Sequence, residues 1–557
     1  MIRSLLGRNS FGWILFAALA TGAIVMGGWD MPLAWDDGLQ ANYGRFALDF
    51  FLSGGVDRGY ENLSNLKYYG ATFELFSAAM HRALGAELYA YRSFLIGAVA
   101  MLGVAWTILL GRRLGLGRWS WLAGLLLALH PQFWGQAFVN SKDIPMLTAT
   151  VGWWLAYLRW ADSGFRWNAK WVVASLALGV LLSIRVMALV VVPGPLLLGL
   201  YLWWQKRSPE DRRVSLDLVR AFPWLPHLLI VPIMWIVMIA FWPFALRQPI
   251  TGPFIAIHHF LTFPFTLLVE IAGEVYPSHE LPRYAVLLEH FLAQPLIWLL
   301  LLTMGGWSLG RAVCREVATA DRMLVALVLW LLPLQLLFLI HPGVTYHGVR
   351  HTLFYWPAYA LLAAVGLRAG IGWVTAHAPS SRRWVPAFLL AFLVAQFLQV
   401  YAWHPYAYVF RNSLTRLLPG SYTGFSGDYH GLSVKEGLRE VSLDSYPWSA
   451  RALVIADPWA ATLFDSYTGE RIEMVSYPTE FFDRGEPPSN YQYFVLLEWF
   501  RDGRISPWLS EDLFKLFPLD EPFATISVEG IPLAYVYRLF DDEETGIAEA
   551  DGSGESP

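Results

Sequence analysis

Charge and cysteine are what this 557-residue chain has least of: Asp, Glu, Lys and Arg make up 15% of it, and Cys314 is its one cysteine. A single thiol forms no intramolecular disulfide and no thiolate zinc cluster, so redox and structural-zinc readings fall away. No glycine-rich phosphate loop of the nucleotide-binding type occurs, which argues against an ATP-driven pump. No basic block suggests a nucleic-acid partner, and the formal net charge of −4 says little about partners. No internal repeat is visible of the kind that relates the two halves of many transporters.

What the chain has in excess is apolar residues, 56% of the sequence, with a positive mean hydropathy. They lie in runs of roughly 17 to 25, the length that crosses about 30 Å of hydrocarbon as a helix. Spans are expected at about 11–28, 90–110, 119–137, 145–160, 171–184, 187–204, 226–242, 292–309, 323–340, 352–371 and 385–402. The expected fold is therefore a polytopic α-helical membrane protein with about eleven transmembrane helices.

Basic residues orient the bundle, because short cytoplasmic loops hold the Lys and Arg excess. Arg3 and Arg8 place the N-terminus inside. Alternation then puts Arg112, Arg113 and Arg118, Arg159, Arg166 and Lys170, and Lys206, Arg207, Arg212 and Arg213 on the same side. Arg311, Arg315 and Arg322 follow, then Arg368, Arg382 and Arg383. Everything after about residue 403 is expected on the extracytoplasmic face of a cell (inner) membrane. The 34 residues from Trp171 to Trp204 must make two crossings, with Arg185 near the turn; one crossing would reverse every later loop. Ala18-Leu19-Ala20 resembles a signal-peptidase site, but the apolar run continues to Gly28, so an uncleaved anchor is expected.

The domains read as a transmembrane part, 1–403, a small extracytoplasmic α/β domain, 404–540, and a disordered acidic tail, 541–557. The transmembrane part carries two long outer segments, 29–89 and 243–291. Residues 38–52 and 69–84 of the first read as amphipathic helices lying along the membrane surface. In the C-terminal part, β-type runs at 451–456, 471–476, 491–498, 523–528 and 533–537 alternate with helix-like 457–467 and 507–516. Gly530-Ile531-Pro532 reads as a hairpin.

Charges at membrane depth are costly and so are functional candidates. Asp36 and Asp37 follow the first span; they read either as a helix cap or as a general base with a second carboxylate beside it. Asp143 stands where the third span gives way to the fourth, and an Asp before a Pro-started helix is also a good cap. Lys142 binds an anion or pairs with Asp143. Arg350, with His347 and His351, opens the tenth span, where bidentate phosphate is a natural partner for a guanidinium. Arg185 is the most embedded charge, and its bland reading is an ion pair with Asp or Glu of another helix. His258 and His259 are adjacent, so on a helix at most one serves a given ligand. Glu74, on the second surface helix, reads by default as solvated. Together these residues are the layout for a reaction whose acceptor loses a proton and whose leaving group is a phosphate.

Trp35-Asp36-Asp37-Gly38, Tyr43-Gly44-Arg45-Phe46 and Lys67-Tyr68-Tyr69-Gly70 ahead of an amphipathic helix resemble the first outer loop of the glycosyltransferase C superfamily. The resemblance lies nearest to bacterial relatives of protein O-mannosyltransferases and the lipid A aminoarabinose transferase. It continues through His130-Pro131-Gln132-Phe133-Trp134-Gly135 and Asn140-Ser141-Lys142-Asp143-Ile144-Pro145, then Glu274-Val275-Tyr276-Pro277 and Gly348-Val349-Arg350-His351. It covers about residues 10–440 in order.

The resemblance implies a polyprenyl-phosphate sugar donor used on the outer face with inversion, and a lipid, glycan or protein acceptor. It implies a catalytic base at Asp36, with Asp37 beside it, and a further acidic residue at Asp143. The superfamily pair is more often Asp-Glu, so Asp-Asp is a departure that leaves open which of the two acts. Arg350, Lys142, Arg185 and His351 would hold the donor phosphate. His258, Glu74, Tyr69 and Tyr276 are further candidates for substrate or cation contact. Membrane lipid is the third partner; no cofactor is certain, and a divalent cation is left open because metal dependence varies in the superfamily. The competing readings are a non-enzymatic lipid or sugar transporter and an assembly subunit of an envelope glycan pathway.

Overall fold

Long uncharged apolar runs make helices, and the computed structural model is mostly helical. It describes residues 10–63, 65–85, 91–207, 220–263, 267–315, 322–340, 343, 345–445, 450–454, 472–476, 492–498 and 521–539. The acidic tail and the helix-like segments 457–467 and 507–516 lie outside the described residues.

Helix α1 (Ser10–Asp30) is apolar on every side, and Phe11, Ile14, Leu19, Val25 and Met26 are exposed, as on a helix bathed in hydrocarbon. Then come α2 (Trp35–Leu52), α3 (Thr72–Leu84), α4 (Arg92–Arg113), α5 (Asp143–Asp162), α6 (Ala169–Ile184) and α7 (Pro193–Gln205). The series continues with α8 (Ile230–Ala240), α9 (Thr251–Leu261), α10 (Leu296–Arg315), α11 (Arg322–Ile340), α12 (Trp356–His377) and α13 (Val385–Trp403).

Among the described residues six helical segments are long and apolar enough to cross a membrane: Phe11–Asp30, Arg92–Arg113, Val186–Gln205, Arg322–Ile340, Arg350–His377 and Pro379–Trp403. A seventh is added if Ala285–Leu292 and Leu296–Arg311, bent by 109°, make one span. Ala169–Ile184 and Trp224–Ala240 are apolar but shorter. By length and composition this is fewer than eleven. The run 119–137 breaks between Ser120–Ala128 and Pro131–Gln136, where Pro131 can open a helix but not continue one. The run 171–204 breaks at Arg185, which is extended with φ −151 and ψ 110, where the sequence places the turn between two spans.

The described residues pack as two compact units, one built from residues of Met1–Leu33 and Leu39–Ser426, the other from residues of Ala34–Gly38 and Gly427–Pro557. In the first unit, Arg113 and Arg322 both pair with Asp162, at 2.7 and 3.0 Å, so three of the basic segments meet at one end of the bundle. Helices α10 and α12 approach through glycine: a Cβ on Gly366 would lie 2.0 Å from the carbonyl oxygen of Leu301, the close crossing that small residues permit. The first outer segment folds α2 and α3 around Tyr43, Ala47, Phe50, Tyr60, Leu66 and Ala71. The second contains an antiparallel hairpin, β1 (Leu268–Ile271) and β2 (Glu274–Pro277). Its two-residue turn, Ala272 and Gly273, has φ of 54 and 82, the positive values that a tight hairpin demands.

The second unit holds a five-stranded sheet. Strands β3 (Ala450–Val454), β4 (Ile472–Ser476) and β5 (Tyr493–Leu497) run parallel, with β3 in the middle. Two further strands, β6 (Ala524–Val528) and β7 (Ile531–Arg538), complete it in the order β4-β3-β5-β7-β6, with β7 antiparallel to both of its neighbours. Every residue of β5 is buried, which is why it reads as an unbroken apolar run rather than an alternating one. Helix α14 (Ser433–Asp444) buries Val434, Leu438 and Val441 while packing on the sheet.

Candidate functional site

The loop before α5 sets the geometry of the first unit's polar cluster. Asn140 fixes the turn ahead of that helix: its Oδ1 accepts the backbone N–H of Lys142 at 3.2 Å and of Asp143 at 2.8 Å. Its amide nitrogen donates to Asp143 Oδ2 at 2.9 Å and to Gln136 Oε1 at 2.9 Å. The buried Asp143 carboxylate also meets cations. Arg185 Nη1 forms an ion pair with Oδ1, and Arg350 Nε stands 3.6 Å from Oδ2. The Asp143 carboxylate thus meets side chains of other elements and does not cap its own helix.

A tyrosine from the first outer segment lies against this cluster. Lys142 Nζ is 4.9 Å and Arg185 Cζ 5.5 Å from the centre of the Tyr69 ring, distances at which an aromatic face attracts a cation. Three contacts pin the segment that carries it. Tyr43 Oη donates to the Tyr69 carbonyl at 2.6 Å, Thr72 Oγ1 donates to Ser183 Oγ at 2.7 Å, and Trp242 Nε1 donates to the Lys67 carbonyl at 2.9 Å. Gly70 is needed for this approach, since a Cβ there would sit 1.8 Å from the Ser183 carbonyl oxygen. On the other side, Arg350 Cζ lies 5.9 Å from the Tyr346 ring, and that ring meets His351 edge-on at 4.4 Å. His351 is within electrostatic reach of Arg185, Arg350, His347 and Lys142. Its Nε2 is buried without a hydrogen-bond partner among the described residues. Lys142, Arg185 and Arg350 thus gather about Asp143 and Tyr69, a cluster of net positive charge.

Glu74 departs from its default reading as a solvated residue. It is 4% exposed, pairs with Arg92 at 2.8 Å, and accepts from Ser141 Oγ at 2.6 Å. The polar face of α3 is turned toward α4 and the loop before α5, so Glu74 braces the residues beside Asp143. His258 is exposed. Its neighbour His259 makes the contacts: Nε2 lies 3.1 Å from Asn65 Oδ1 and the ring 4.2 Å from that of Tyr68. Burial, with the Lys67 charge adding to it, pushes the His259 imidazole below its usual range. Adjacency in the sequence marked the pair but not which member turns inward. Tyr276 lies in β2, against the cluster of Val269, Ile271 and Leu281, and no contact joins it to Asp143.

The acidic pair lies in the second unit. Asp37 is buried, and its Oδ2 accepts the backbone N–H of Ala34 at 2.9 Å. This is the reciprocal half of a capping box, in which the third helical residue reaches back to the residue before the helix. Asp36, one position earlier, is half-buried. The two carboxylates therefore differ: Asp37 caps α2 and Asp36 does not take that bond.

No family model and no curated protein matches the chain. Solved structures do resemble it, and they are glycosyltransferases of the C superfamily. The oligosaccharyltransferase AglB from Archaeoglobus fulgidus, in complex with an inhibitory peptide and a dolichol-phosphate, aligns at a TM-score of 0.48 and 12% identity, over 87% of this chain and 69% of its own. ArnT from Cupriavidus metallidurans in the apo state aligns at 0.46 and 15%, over 95% and 98%. The mycobacterial arabinofuranosyltransferase AftD aligns at 0.41 and 14%, over 96% of this chain and 40% of that one.

An apolar cavity of about 370 Å³ lies in the first unit, lined by Trp153, Leu178, Leu182, Leu189 and Val231 among others, and none of Lys142, Asp143, Arg185 and Arg350 lines it. Tyr157 Oη and His227 Nε2, which also line it, are 2.9 Å apart and satisfy one another.

Proposed function

We propose that this protein is a membrane glycosyltransferase that moves a sugar from a polyprenyl-phosphate donor to an acceptor hydroxyl on the extracytoplasmic face. The observation that carries the reading is the cluster of Lys142, Arg185 and Arg350 about Asp143 and Tyr69. A phosphate ester needs such cations for its oxygens.

In the proposed reaction the acceptor oxygen attacks the anomeric carbon from the face opposite the phosphate, so the configuration inverts. The bond from that carbon to the phosphate oxygen breaks, and polyprenyl phosphate departs with the electron pair. No acid is required, because the leaving group is a stable anion whose growing charge Arg350, Arg185 and Lys142 offset. Asp36 takes the acceptor proton, since Asp37 is engaged in capping. Asp143, whose two oxygens meet Arg185, Arg350 and Asn140, orients the cations. The acceptor is a lipid, glycan or protein hydroxyl.

The test is transfer from a labelled polyprenyl-phosphate sugar in membranes holding the wild-type chain, Asp36→Asn or Arg350→Ala. Wild-type transfer that both variants lose is expected. Full transfer in Asp36→Asn would remove the base from the scheme, and no transfer by the wild type with any donor would remove the enzyme.

A further inference from the structure

The acidic turn is held by a loop nearly four hundred residues away in the chain. Trp35 N–H donates to the carbonyl of His430 at 3.0 Å. Gly431, at φ +69, lies so close to the Trp35 indole that a Cβ there would stand 1.6 Å from Nε1 and 2.1 Å from Cε2. The loop is itself tied down. Asp428 is fully buried; its Oδ2 accepts the Ser433 N–H at 2.7 Å and its Oδ1 the Leu432 N–H at 3.1 Å. That fixes the loop to the start of α14, which packs on β3, β5, β6 and β7.

We propose that the second unit is a positioning device for Asp36: the loop Gly427–Ser433, anchored on α14 and the sheet, fixes Trp35 and thereby aims the next residue's carboxylate. The inference rests on the reading of Asp36 as the base. A base acts only within hydrogen-bond reach of the proton it takes, and a misplacement of about 1 Å can cost about a hundredfold in rate. A capping box ties the start of α2 only to its own first turn. The His430 carbonyl and the Gly431 backbone hold Trp35 from outside that turn. His430 acts here through its backbone, so Gly431 and Trp35 are the residues that substitution can read.

The experiment is a double-mutant cycle in the full-length protein, measuring kcat and donor KM for wild type, Gly431→Ala, Trp35→Ala and the double variant, with Asp36→Asn as reference. Gly431→Ala is expected to lower kcat at least tenfold with donor KM within about twofold, because the phosphate cations belong to the other unit. Trp35→Ala removes the ring that the new methyl would strike, so the double variant should match Trp35→Ala, and the two effects should not multiply. Effects that multiply, or single variants that turn over at the wild-type rate while Asp36→Asn does not, would overturn the proposal. Should Gly431→Ala not be recovered folded, Trp35→Ala decides alone: kcat lowered with KM held supports positioning, and wild-type kcat overturns it. Wild-type turnover in Asp36→Asn would instead overturn the base assignment, so the two failures are distinct.

Discussion

Asp143 meets Arg185 with one carboxylate oxygen and faces Arg350 Nε at 3.6 Å with the other. One carboxylate between two guanidiniums acts as a built-in counter-ion, in the place where a phosphate would bring more negative charge. Asp143→Asn keeps the shape and removes the charge. Breaking a buried pair by deleting one partner costs about 3–5 kcal/mol, since the remaining charge is left uncompensated. The expected result is a lowered unfolding midpoint in detergent that undecaprenyl phosphate raises more in Asp143→Asn than in wild type, because the added anion replaces the lost one. Thermal shifts of both proteins, with and without the lipid, measure it; equal shifts would count against a phosphate at this cluster.

Asp36 and Asp37 should separate in assay. Asp37 accepts the Ala34 N–H, so Asp37→Asn is expected to cost about 0.5–2 kcal/mol of stability, the worth of a cap, and to lower transfer only modestly. Asp36→Asn should lower kcat by about a hundredfold or more, the contribution of a positioned base. Paired melting curves and initial rates check both, and the reverse pattern would exchange the two roles.

Tyr69 links the first outer segment to the cations through its ring and is itself held by Tyr43 through its backbone. Tyr69→Phe keeps the aromatic face and should keep the donor KM within about twofold. Tyr69→Leu removes it; with cation–π contacts worth about 0.5–2 kcal/mol, the donor KM should rise several-fold with kcat changed less. A Tyr69→Phe defect as large as that of Tyr69→Leu would mean that the hydroxyl, and not the ring face, is what the site uses.

Hydropathy made the long helices legible, because a run of twenty apolar residues has few alternatives to a helix, and the short β-type runs of the second unit announced their strands. The β1–β2 hairpin did not show: four-residue strands carry too little periodicity, and only Ala272-Gly273 marks the turn. Glu74 illustrates a different limit. An amphipathic pattern identifies a polar face but not what covers it, and here Arg92 of α4 and Ser141 do. Arg185 could be read as an embedded charge seeking a carboxylate, yet its partner 42 residues earlier in the chain was one of several acidic residues. The loop Gly427–Ser433 gave no signal, because its significance comes from packing on Trp35, a contact of very high sequence separation.

The second unit offers a pH test that leaves the cluster of Arg185, Arg350 and Asp143 untouched. Asp444, the last residue of α14, accepts from Arg538 Nε at 2.9 Å and from Tyr493 Oη at 2.7 Å. The Arg538 hydrogen bond, with the Tyr493 hydroxyl helping, holds the Asp444 carboxyl below its usual value of 3.8. A carboxyl depressed in the folded state contributes its full stability above the unfolded value, and that contribution is lost as pH falls through 3.8 toward the folded value. Arg538 is 44% exposed, so solvent screening limits the effect to about 0.5–1 kcal/mol. Asp444→Asn should therefore lower hydrogen-exchange protection of peptides covering β5 and β7 at pH 6, and the gap from wild type should narrow as pH falls below 3.8. A gap that does not narrow with falling pH would mean that the substituted amide packs poorly, and that the carboxylate charge is not what ties α14 to the sheet.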